Sequence, residues 1–519
     1  MASLPRILCL LDKNPLSPTY GSFDRKYWQY KIIDFPCGMQ QELILPLAYL
    51  WKTAFPENRY YNSERIRTYI EGALLFHRKC CHSDGSMDDY FPHERAFGAT
   101  AYALAASTEA ALLAGICPDG VLPAFEKSGD FLARYREAGL LSNHLAIAAL
   151  ALLNLSLLTG NQRWSTDSRQ LVEELKAKQD GEGWFPEYDG CDAGYQTVTI
   201  EFLSRCYRKS PSEATFAILQ KACRFLWFFV HPDGSLGGEY GSRNTYNFYP
   251  GGFALLSRDI PEAAQILLHF YKGFASGARN YLADDGTFGH LLSSYVTVLS
   301  SGDTVTKALG ESKAGETPHI TYFPKAGLFS GQAGRYAIFG TTTKGGVYKV
   351  FKNGALLYSD TGFAGRLTDG TCFCQNNANS SVGDVRGNSI EIEGEFREYD
   401  SSRLTRLHTA GLRMLSMVFG RHPKYSNIIR QIMQAKLIYK RKGVGHRFRR
   451  LINLAAHGVI VSDTIDMKGR KKIAEIYRST DCVNAHVITS DSFQSANLLC
   501  WEKAAFGASQ SRIEIVKEY

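Results

Sequence analysis

Residues 180–202, DGEGWFPEYDGCDAGYQTVTIEF, join an Asp-Gly loop to a segment with apolar residues at helical spacing. A related loop begins at Asp84, and two more begin at Asp233 and Asp285, 53 and 52 residues further along the chain. Pairs of apolar-periodic segments separate these loops, for example 143–158 with 166–178. Each unit predicts a helical hairpin. Stacked hairpins bury their apolar faces against one another and curl into an α/α toroid with the loops on one rim.

The predicted rim loops share an enrichment in polar and aromatic side chains. Ordinary Asp-Gly turns between unrelated helices would show no such common enrichment. The enriched residues are Tyr90, His93, Glu94, Arg95, Glu187, Tyr188, Asp192, Tyr195, Glu239, Tyr240 and Arg243. We therefore predict that the loops line a shared carbohydrate cleft. The substrate-binding candidates in it are Tyr90, His93, Glu94, Arg95, Glu187 and Tyr240.

An adjacent Asn-His pair lies early in one predicted helix, in Ser142-Asn143-His144-Leu145, and Tyr195 follows 52 residues after Asn143. This combination fits chemistry at a uronic acid, whose C5 hydrogen lies beside a carboxylate and is too weakly acidic to leave in water. An Asn amide or a protonated His can hydrogen-bond that carboxylate and stabilise the charge that develops on it, while a Tyr exchanges the proton. The alternative is structural, with Asn143 as a cap or interior polar residue and His144 as a core histidine.

The pattern changes after about residue 300. A polar, turn-prone stretch, SSGDTVTKALGESKAGETPH, precedes short runs with period-two alternation and Asn-Gly, Lys-Gly and Asp-Gly turns. These runs predict an antiparallel β domain, most simply a sandwich. The chain is therefore predicted to be a multidomain α+β protein, with an incomplete toroid at 1–305, a linker at 306–318 and a β-sandwich domain at 319–519.

A toroid followed by an antiparallel β domain, with Asn-His in one helix and a downstream Tyr, resembles the heparinase II/III-like family and the related alginate lyases and dermatan-type uronyl epimerases. The segment PHITYFPKAGLFSGQAGRYAIFGTTTKGGVYKVF, residues 318–351, also resembles the opening of the heparinase-like β domain. The resemblance implies that Asn143 neutralises the uronate carboxylate. It also implies that His144 acts in proton transfer and that Tyr195 is the acid or base at C5 or at the glycosidic oxygen.

The family's further catalytic residue from the β domain would be His319 or Tyr322, and either could instead be structural. His319 is also a substrate-binding candidate. Arg243 and Asn244 are candidates for holding an anionic sugar, since Arg binds carboxylate or sulfate through two parallel hydrogen bonds. A salt bridge from Arg243 to a neighbouring loop acid is the alternative.

The formal net charge of +8 is concentrated in one segment. Between Arg403 and Arg450 there are thirteen Lys and Arg residues and no Asp or Glu, so the rest of the chain has 46 basic and 51 acidic residues, a net of −5. Within it, Ile428, Ile429, Ile432 and Met433 share one predicted helical face. A basic amphipathic insert in a β domain suggests an anionic membrane surface or a polyanionic glycan as partner. The alternative is a solvated helix covering the sheet edge, and no nucleic-acid motif accompanies the charge.

The N-terminal run ILCLL is short for a secretory signal, and we expect no membrane-spanning run of eighteen apolar residues. Twelve cysteines without a CxxC pair indicate reduced thiols. We therefore expect a cytoplasmic protein, for which the basic insert leaves open a peripheral position at the inner membrane face. No cofactor is predicted, because no His/Cys spacing indicates a metal site, although a structural zinc or calcium stays open.

Four functions fit these features. The first is a polysaccharide lyase that abstracts the C5 proton of a uronic acid in an anionic polysaccharide and eliminates the 4-linked sugar. The second is a uronyl C5-epimerase in cytoplasmic exopolysaccharide biosynthesis. The third is a non-catalytic glycan-binding module that keeps the toroid. The fourth is a glycoside hydrolase, whose paired carboxylates would come from Asp88, Asp89, Glu187, Asp192 and Glu239.

Overall fold

The computed structural model describes residues 3–137, 139, 141–188, 190–277, 288–301, 317–377, 379–399, 405–420, 422–434, 442–480, 501–505 and 510–519. The first part is helical. Its helices are α1 (Leu4–Leu10), α2 (Arg25–Trp28), a 3₁₀ helix (Met39–Leu43), α3 (Ile44–Lys52), α4 (Glu64–Cys80), α5 (Phe97–Ala114), α6 (Leu122–Arg134), α7 (Ser142–Thr159), α8 (Gln162–Lys178), α9 (Ala193–Lys209), α10 (Glu213–Trp227), α11 (Pro250–Leu256), α12 (Pro261–Ala275) and α13 (Phe288–Ser301). A two-stranded hairpin, β1 (Pro186–Glu187) with β2 (Gly190–Cys191), precedes α9.

Six inner helices follow one another around a ring, in the order α3, α5, α7, α9, α11 and α13, and α13 packs back on α3. Helices α4, α6, α8, α10 and α12 pack outside them. Inner helices α5 and α7 are apolar on all sides because neighbours cover every face. Outer helix α8 instead buries one stripe that includes Trp164, Leu171 and Leu175. With five outer helices for six inner ones among the described residues, the domain is the predicted incomplete α/α toroid.

Three of the four predicted Asp-Gly loops have the same local geometry. The carboxylates of Asp84, Asp180 and Asp233 each accept a hydrogen bond from the backbone N–H two residues later, at 3.1, 2.9 and 2.8 Å. This side-chain turn is the reason that Asp recurs at these positions. The fourth loop, which begins at Asp285, lies outside the described residues, as does most of the predicted linker.

The second part is an antiparallel β-sandwich. One sheet has five strands, β3 (His319–Phe323), β4 (Leu328–Ala333), β5 (Tyr336–Thr341), β6 (Tyr348–Lys352) and β7 (Ala355–Asp360), in sequential order. The other has nine, β8 (Phe363–Leu367), β9 (Cys372–Cys374), β10 (Ser381–Arg386), β11 (Ser389–Glu398), β12 (Gly443–Ala455), β13 (Gly458–Asp466), β14 (Ile473–Ser479), β15 (Trp501–Lys503) and β16 (Arg512–Glu518). Apolar side chains from the inner faces of both sheets form one core, including Ile338, Val350, Ile392 and Ile452.

The sandwich packs firmly on the toroid. Phe323 of β3 contacts the rings of Phe225, Phe228 and Phe229 at the end of α10. Lys344, in the turn after β5, donates to the backbone carbonyls of Glu239 and Gly241, both at 2.7 Å. The β domain therefore holds the rim loop at 233–245 in place through these hydrogen bonds.

The predicted insert forms two helices between β11 and β12, α14 (Arg406–Phe419) and α15 (Pro423–Gln434). We call this pair the insert hairpin. Its described polar contacts include two with the toroid: Arg95 Nε donates to the Gly420 carbonyl at 2.9 Å, and Arg413 pairs with Asp34. Arg403 and residues 435–441, which include Lys436, Lys440 and Arg441, lie outside the described residues.

One helix among the described residues, α7, is long and apolar enough to cross a membrane by length and composition. This differs from the expectation that no such run exists. Seventy-eight per cent of its apolar window is buried inside the toroid, as is typical of the core helix of a folded domain.

Candidate active site

The residues predicted to be catalytic meet where the first turns of α7 and α9 face each other. Asn143 is the second residue of α7 and Tyr195 the third of α9. Asp192 caps α9 by accepting from the Tyr195 backbone N–H at 3.0 Å, and its second oxygen accepts from the Arg243 backbone N–H at 2.9 Å. One carboxylate therefore fixes both Tyr195 and the loop that carries Arg243.

Asn143 is fully buried, and both ends of its amide are engaged. Its Nδ2 donates to Glu187 Oε1 at 2.7 Å, and its Oδ1 accepts from the Tyr102 hydroxyl at 3.3 Å. Because Tyr102 donates to the oxygen, the amide nitrogen is held toward Glu187 and the cleft.

Glu187 lies beside Asn143 and is buried. Burial raises the pKa of its carboxyl group to about 8, although the charges of His144 and Arg243 and the bond from Asn143 act in the opposite direction. A carboxyl group with this pKa is mostly protonated at neutral pH. It is therefore able to donate a hydrogen bond to a bound anion.

His144 is the half-buried member of the cluster. Its Nδ1 is hydrogen-bonded to Glu137, and its ring meets the Tyr102 ring edge-on at a centroid distance of 6.1 Å. The bond to Glu137 favours a proton on Nδ1, so any proton exchange with a substrate would use Nε2. Gly98 packs directly against the imidazole, where a Cβ atom would collide with it.

Arg243 stacks on two phenol rings. Its guanidinium carbon lies 4.1 Å from the ring centroid of Tyr188 and 5.9 Å from that of Tyr195, and it also hydrogen-bonds the Tyr195 side chain. Burial alone would lower the pKa of Arg243, but the neighbouring phenols and Glu187 raise it above the ordinary value. Arg243 is therefore a fixed cation, and a cation that donates to a phenol favours its phenolate form.

In the loop at 88–95, several residues that were predicted to bind substrate make contacts within the loop. Glu94 accepts from the backbone N–H groups of Asp89 and Tyr90 at 3.1 and 2.7 Å, and Arg95 pairs with Asp84 at 2.6 Å. Both side chains are buried. Glu94 and Arg95, which were predicted to bind substrate, therefore make contacts that hold the loop together.

Tyr90 and His93 lie on the same loop. Tyr90 is 74% exposed, and its pKa is raised mainly by the charge of Asp89, with contributions from burial and from Tyr195 and Tyr188. Its hydroxyl therefore lies within electrostatic range of the cluster, as a rim residue would. The imidazole of His93 lies against that of His82, with 5.4 Å between ring centroids.

Three other predicted substrate-binding residues lie away from the cluster or serve the fold. Tyr240 is buried, and its hydroxyl is 2.9 Å from His231 Nε2. Asn244 accepts a hydrogen bond from Lys344 of the β domain. His319 is exposed on β3, where its Nε2 is 3.1 Å from the Thr321 hydroxyl. Tyr240 and His319 therefore lie apart from the cluster, and Asn244 connects the toroid to the β domain.

Tyr322 does not join the cluster either, since its hydroxyl is 3.2 Å from that of Thr342 within the β domain. The structure instead adds Tyr102 and Glu137, which the sequence analysis missed. Tyr102 lies in the Ala-rich helix α5, and Glu137 lies in the loop before α7. No local sequence signal marks either residue, because each matters only through its contact with Asn143 or His144.

Residues with strained backbone φ angles are concentrated in the loops around the cluster. Four of the eight described non-glycine residues with positive φ lie in these loops, namely His93 (58°), Arg95 (52°), Tyr188 (57°) and Asn244 (59°). An aromatic residue such as Tyr188 rarely adopts this conformation. Strained backbone of this kind concentrates at functional sites, where the surrounding structure enforces it.

The carboxylates that a glycoside hydrolase would need are mostly engaged elsewhere. Asp88 accepts from the backbone N–H groups of His93 and Arg95 at 2.8 and 3.0 Å, and Asp192 caps α9. Glu239 pairs with the buried Lys349 at 2.8 Å, which outweighs burial and lowers its pKa. Of these carboxyl groups, Glu187 is the one that contacts Asn143.

The described part of the chain contains no group of three or more His, Cys, Asp or Glu side chains arranged to hold a metal ion. None of the cysteines in this described part forms a disulfide bond, including the adjacent Cys80 and Cys81.

No protein-family model matches this sequence, and no curated protein matches it. Among solved structures, the protein is similar to heparinase III, with a TM-score of 0.49 and 11% identity over 85% of this chain and 64% of that one. A chondroitinase AC lyase aligns with a TM-score of 0.44 and 12% identity over 92% and 65%. An unsaturated glucuronyl hydrolase from Streptococcus agalactiae aligns at 0.31 and 12% over 52% and 70%. The chain spans about two thirds of the length of each of these proteins. Its function is therefore inferred from the residues of the site.

Proposed function

We propose that the protein is a polysaccharide lyase that abstracts the C5 proton of a uronic acid in an anionic polysaccharide. The observation that supports this proposal is the pairing of two functions within one buried cluster of side chains. Asn143 and the protonated Glu187 provide neutral hydrogen-bond donors on one side. Arg243 and Tyr195 provide a cation-supported phenol on the other.

The chemistry requires both sides. The uronate carboxylate binds to the Asn143 amide and the Glu187 carboxyl group, which stabilise the second negative charge as C5 loses its proton. Tyr195, whose phenol oxygen is hydrogen-bonded to Arg243, takes that proton as its phenolate. The electron pair forms the C4–C5 double bond, the C4–O4 bond breaks, and O4 receives a proton from the Tyr195 phenol or from His144 Nε2. The products are an unsaturated uronide end and a new free hydroxyl group.

Matched variants test the carboxylate side. Asn143→Ala is expected to lower turnover by about two to three orders of magnitude, as loss of one charge-stabilising donor does. Asn154 is the control, because it is equally buried on the same helix but donates to Glu109 at 2.9 Å. Asn154→Ala should leave turnover per folded molecule near that of the wild type. If Asn143→Ala also retains full turnover, Asn143 has no part in the reaction.

Tyr195→Phe tests the proton-transfer side, and Tyr207→Phe on the same helix is its control, since Tyr207 packs against Phe216. The readout is the ultraviolet absorbance of unsaturated uronide ends from a panel of uronans. Deuterium incorporated at C5 from heavy water without an absorbance rise would assign the reaction to a C5-epimerase. Neither signal on any uronan would favour a glycan-binding module.

We further propose that the reaction takes place on the cytoplasmic side of a membrane, on a polysaccharide made there. The acid-free basic insert supports this setting, because the inner leaflet carries anionic lipid. Cell fractionation tests it: the protein should appear with the membrane fraction at low salt and be released by high salt.

A further inference from the structure

The insert hairpin exposes apolar side chains to an unusual degree. Nine of the 23 large apolar side chains that are exposed in the described part of the chain lie on these two helices. They are Leu407, Met414, Leu415, Met417, Val418, Phe419, Tyr425, Ile428 and Ile432, between 47% and 83% exposed. The fully buried residues of the hairpin helices are small and polar, Ser416 and Ser426. Contiguous apolar exposure on this scale marks an interaction surface.

The hairpin also lacks the packing that normally stabilises short helices. Helices of 14 and 12 residues are marginal in water unless an apolar face is covered by tertiary contacts. Here the described residues of the fold leave about half or more of each of these apolar side chains exposed. A partner that covers them would add the missing stabilisation.

The hairpin is nevertheless fixed to the toroid at defined points. Arg95 donates to the Gly420 carbonyl, Ser426 donates to the Glu94 carbonyl, and Arg413 pairs with Asp34. Glu94 and Arg95 belong to the loop that carries Tyr90 at the rim of the cleft. Whatever binds the hairpin is therefore held next to the mouth of the active site.

The positive charge of the insert distinguishes among the partners that could bind the hairpin. The sequence from 403 to 450 contains no acidic residue, so a second copy meeting the same surface would bring like charges together. A polysaccharide would match the positive charge but would not cover Leu407, Met414 or Val418. An anionic bilayer satisfies both, since its headgroups attract Lys and Arg and its acyl boundary accepts the apolar side chains.

We infer that the insert hairpin is a docking surface for an anionic lipid bilayer and that it presents the rim of the cleft to that bilayer. Its apolar side chains enter the headgroup boundary while Arg406 and Lys424 meet the lipid charge. Docking deepens the proposed membrane setting but does not depend on the reaction, because it is measured by binding alone. It implies that the substrate chain is anchored in, or made at, the same lipid surface.

The test is sedimentation of the full chain with sucrose-loaded vesicles of phosphatidylcholine, with or without 30% phosphatidylglycerol. We expect at least tenfold tighter binding to the anionic vesicles, weakened by added salt through screening. Met414→Asp with Val418→Asp should reduce this binding at least tenfold. Leu357→Asp with Val516→Asp is the matched control, because those side chains are also exposed but lie on the β domain. The control pair should bind as the wild type does.

Several results would overturn the inference. Equal binding of the hairpin variant and the control variant would remove the hairpin as the docking surface. A wild-type dimer that Met414→Asp with Val418→Asp dissociates, measured by mass photometry, would assign the surface to a second copy. The hairpin would instead be a glycan-binding surface under two combined results. The protein would fail to bind anionic vesicles at low salt, and Lys424→Gln with Lys442→Gln would lose affinity for long uronan chains. Thermal midpoints of all variants should match the wild type, since the substituted residues are exposed.

Discussion

Replacement of Glu187 by Gln tests the protonated carboxyl group at the centre of the proposed site. Gln is neutral and nearly isosteric, so it reproduces the protonated acid and keeps an acceptor for the Asn143 amide at 2.7 Å. The pKa of Glu187 is about 8 in the folded protein and 4.5 in the unfolded reference, a difference of about 3.5 units. At 1.36 kcal/mol per unit, ionising this group in the folded state costs up to about 5 kcal/mol.

The pH dependence follows from the direction of the shift. Between pH 4.5 and 8 the folded state holds a proton that the unfolded state has lost, so this group makes folding less favourable as pH rises. The free energy of unfolding of the wild type and of Glu187→Gln should be measured in urea between pH 5.5 and 7.5. The stability of the variant relative to the wild type should increase by about 1.4 kcal/mol per pH unit over this range. Above about pH 8 the difference should become constant. Other ionisable groups affect both proteins equally and cancel in the comparison.

The wild-type turnover should also fall as pH rises through about 8, because the Glu187 carboxylate then repels a bound uronate. In Glu187→Gln this alkaline limb should disappear while a lower, flatter activity remains. A stability difference that does not change with pH would refute the assignment of a buried, protonated Glu187. An unchanged alkaline limb in the variant would show that another group controls activity.

Three further predictions concern named contacts. Arg243→Lys keeps the charge but loses the planar stacking on Tyr188 at 4.1 Å, so turnover should fall about tenfold or more with little change in the urea midpoint. Tyr102→Phe removes the hydroxyl that orients the Asn143 amide, and we expect a lower kcat with a nearly unchanged KM in steady-state kinetics. Arg450→Met leaves the buried Asp463 of the β domain without its cation, although Asp360 keeps its pair with Arg478, and urea unfolding should show a loss of about 3–5 kcal/mol.

The toroid could be predicted from sequence because its signals are local and repeated. The Asp-Gly loops owe their conformation to the Asp side chain itself, as at Asp84 and Asp233. The apolar helix α7 indicates a buried element whatever its neighbours are. The same reasoning placed Tyr195 and Arg243 on one rim, and the structure brings them together.

The individual roles of the loop residues could not be predicted in the same way, because they depend on which partner each side chain meets. Glu94 and Tyr90 are both polar residues of one loop, yet Glu94 is used to cap backbone N–H groups and Tyr90 is exposed at the rim. Glu187 could be named as a candidate, but its raised pKa arises from burial that the fold alone provides. Tyr102 has no distinguishing neighbours in sequence at all.

The insert also combines a helix that the local sequence predicts with tertiary contacts that it does not. Its charge and the apolar periodicity of residues 428–432 predicted a helix there, and α15 lies at Pro423–Gln434. Its attachment to the loop at 88–95 joins residues more than 300 positions apart, as in the bond from Arg95 to Gly420. Contacts of that separation leave no trace in local composition.

The most direct test of the proposed reaction is incubation of the wild type and Tyr195→Phe with a panel of uronans in heavy water. Ultraviolet absorbance and deuterium at C5 should be recorded on the same samples. We predict that at least one uronan gives unsaturated ends with the wild type, and that Tyr195→Phe gives none while Tyr207→Phe matches the wild type. Absence of both unsaturated ends and C5 deuterium on every uronan, or an undiminished signal from Tyr195→Phe, would contradict proton abstraction at this site.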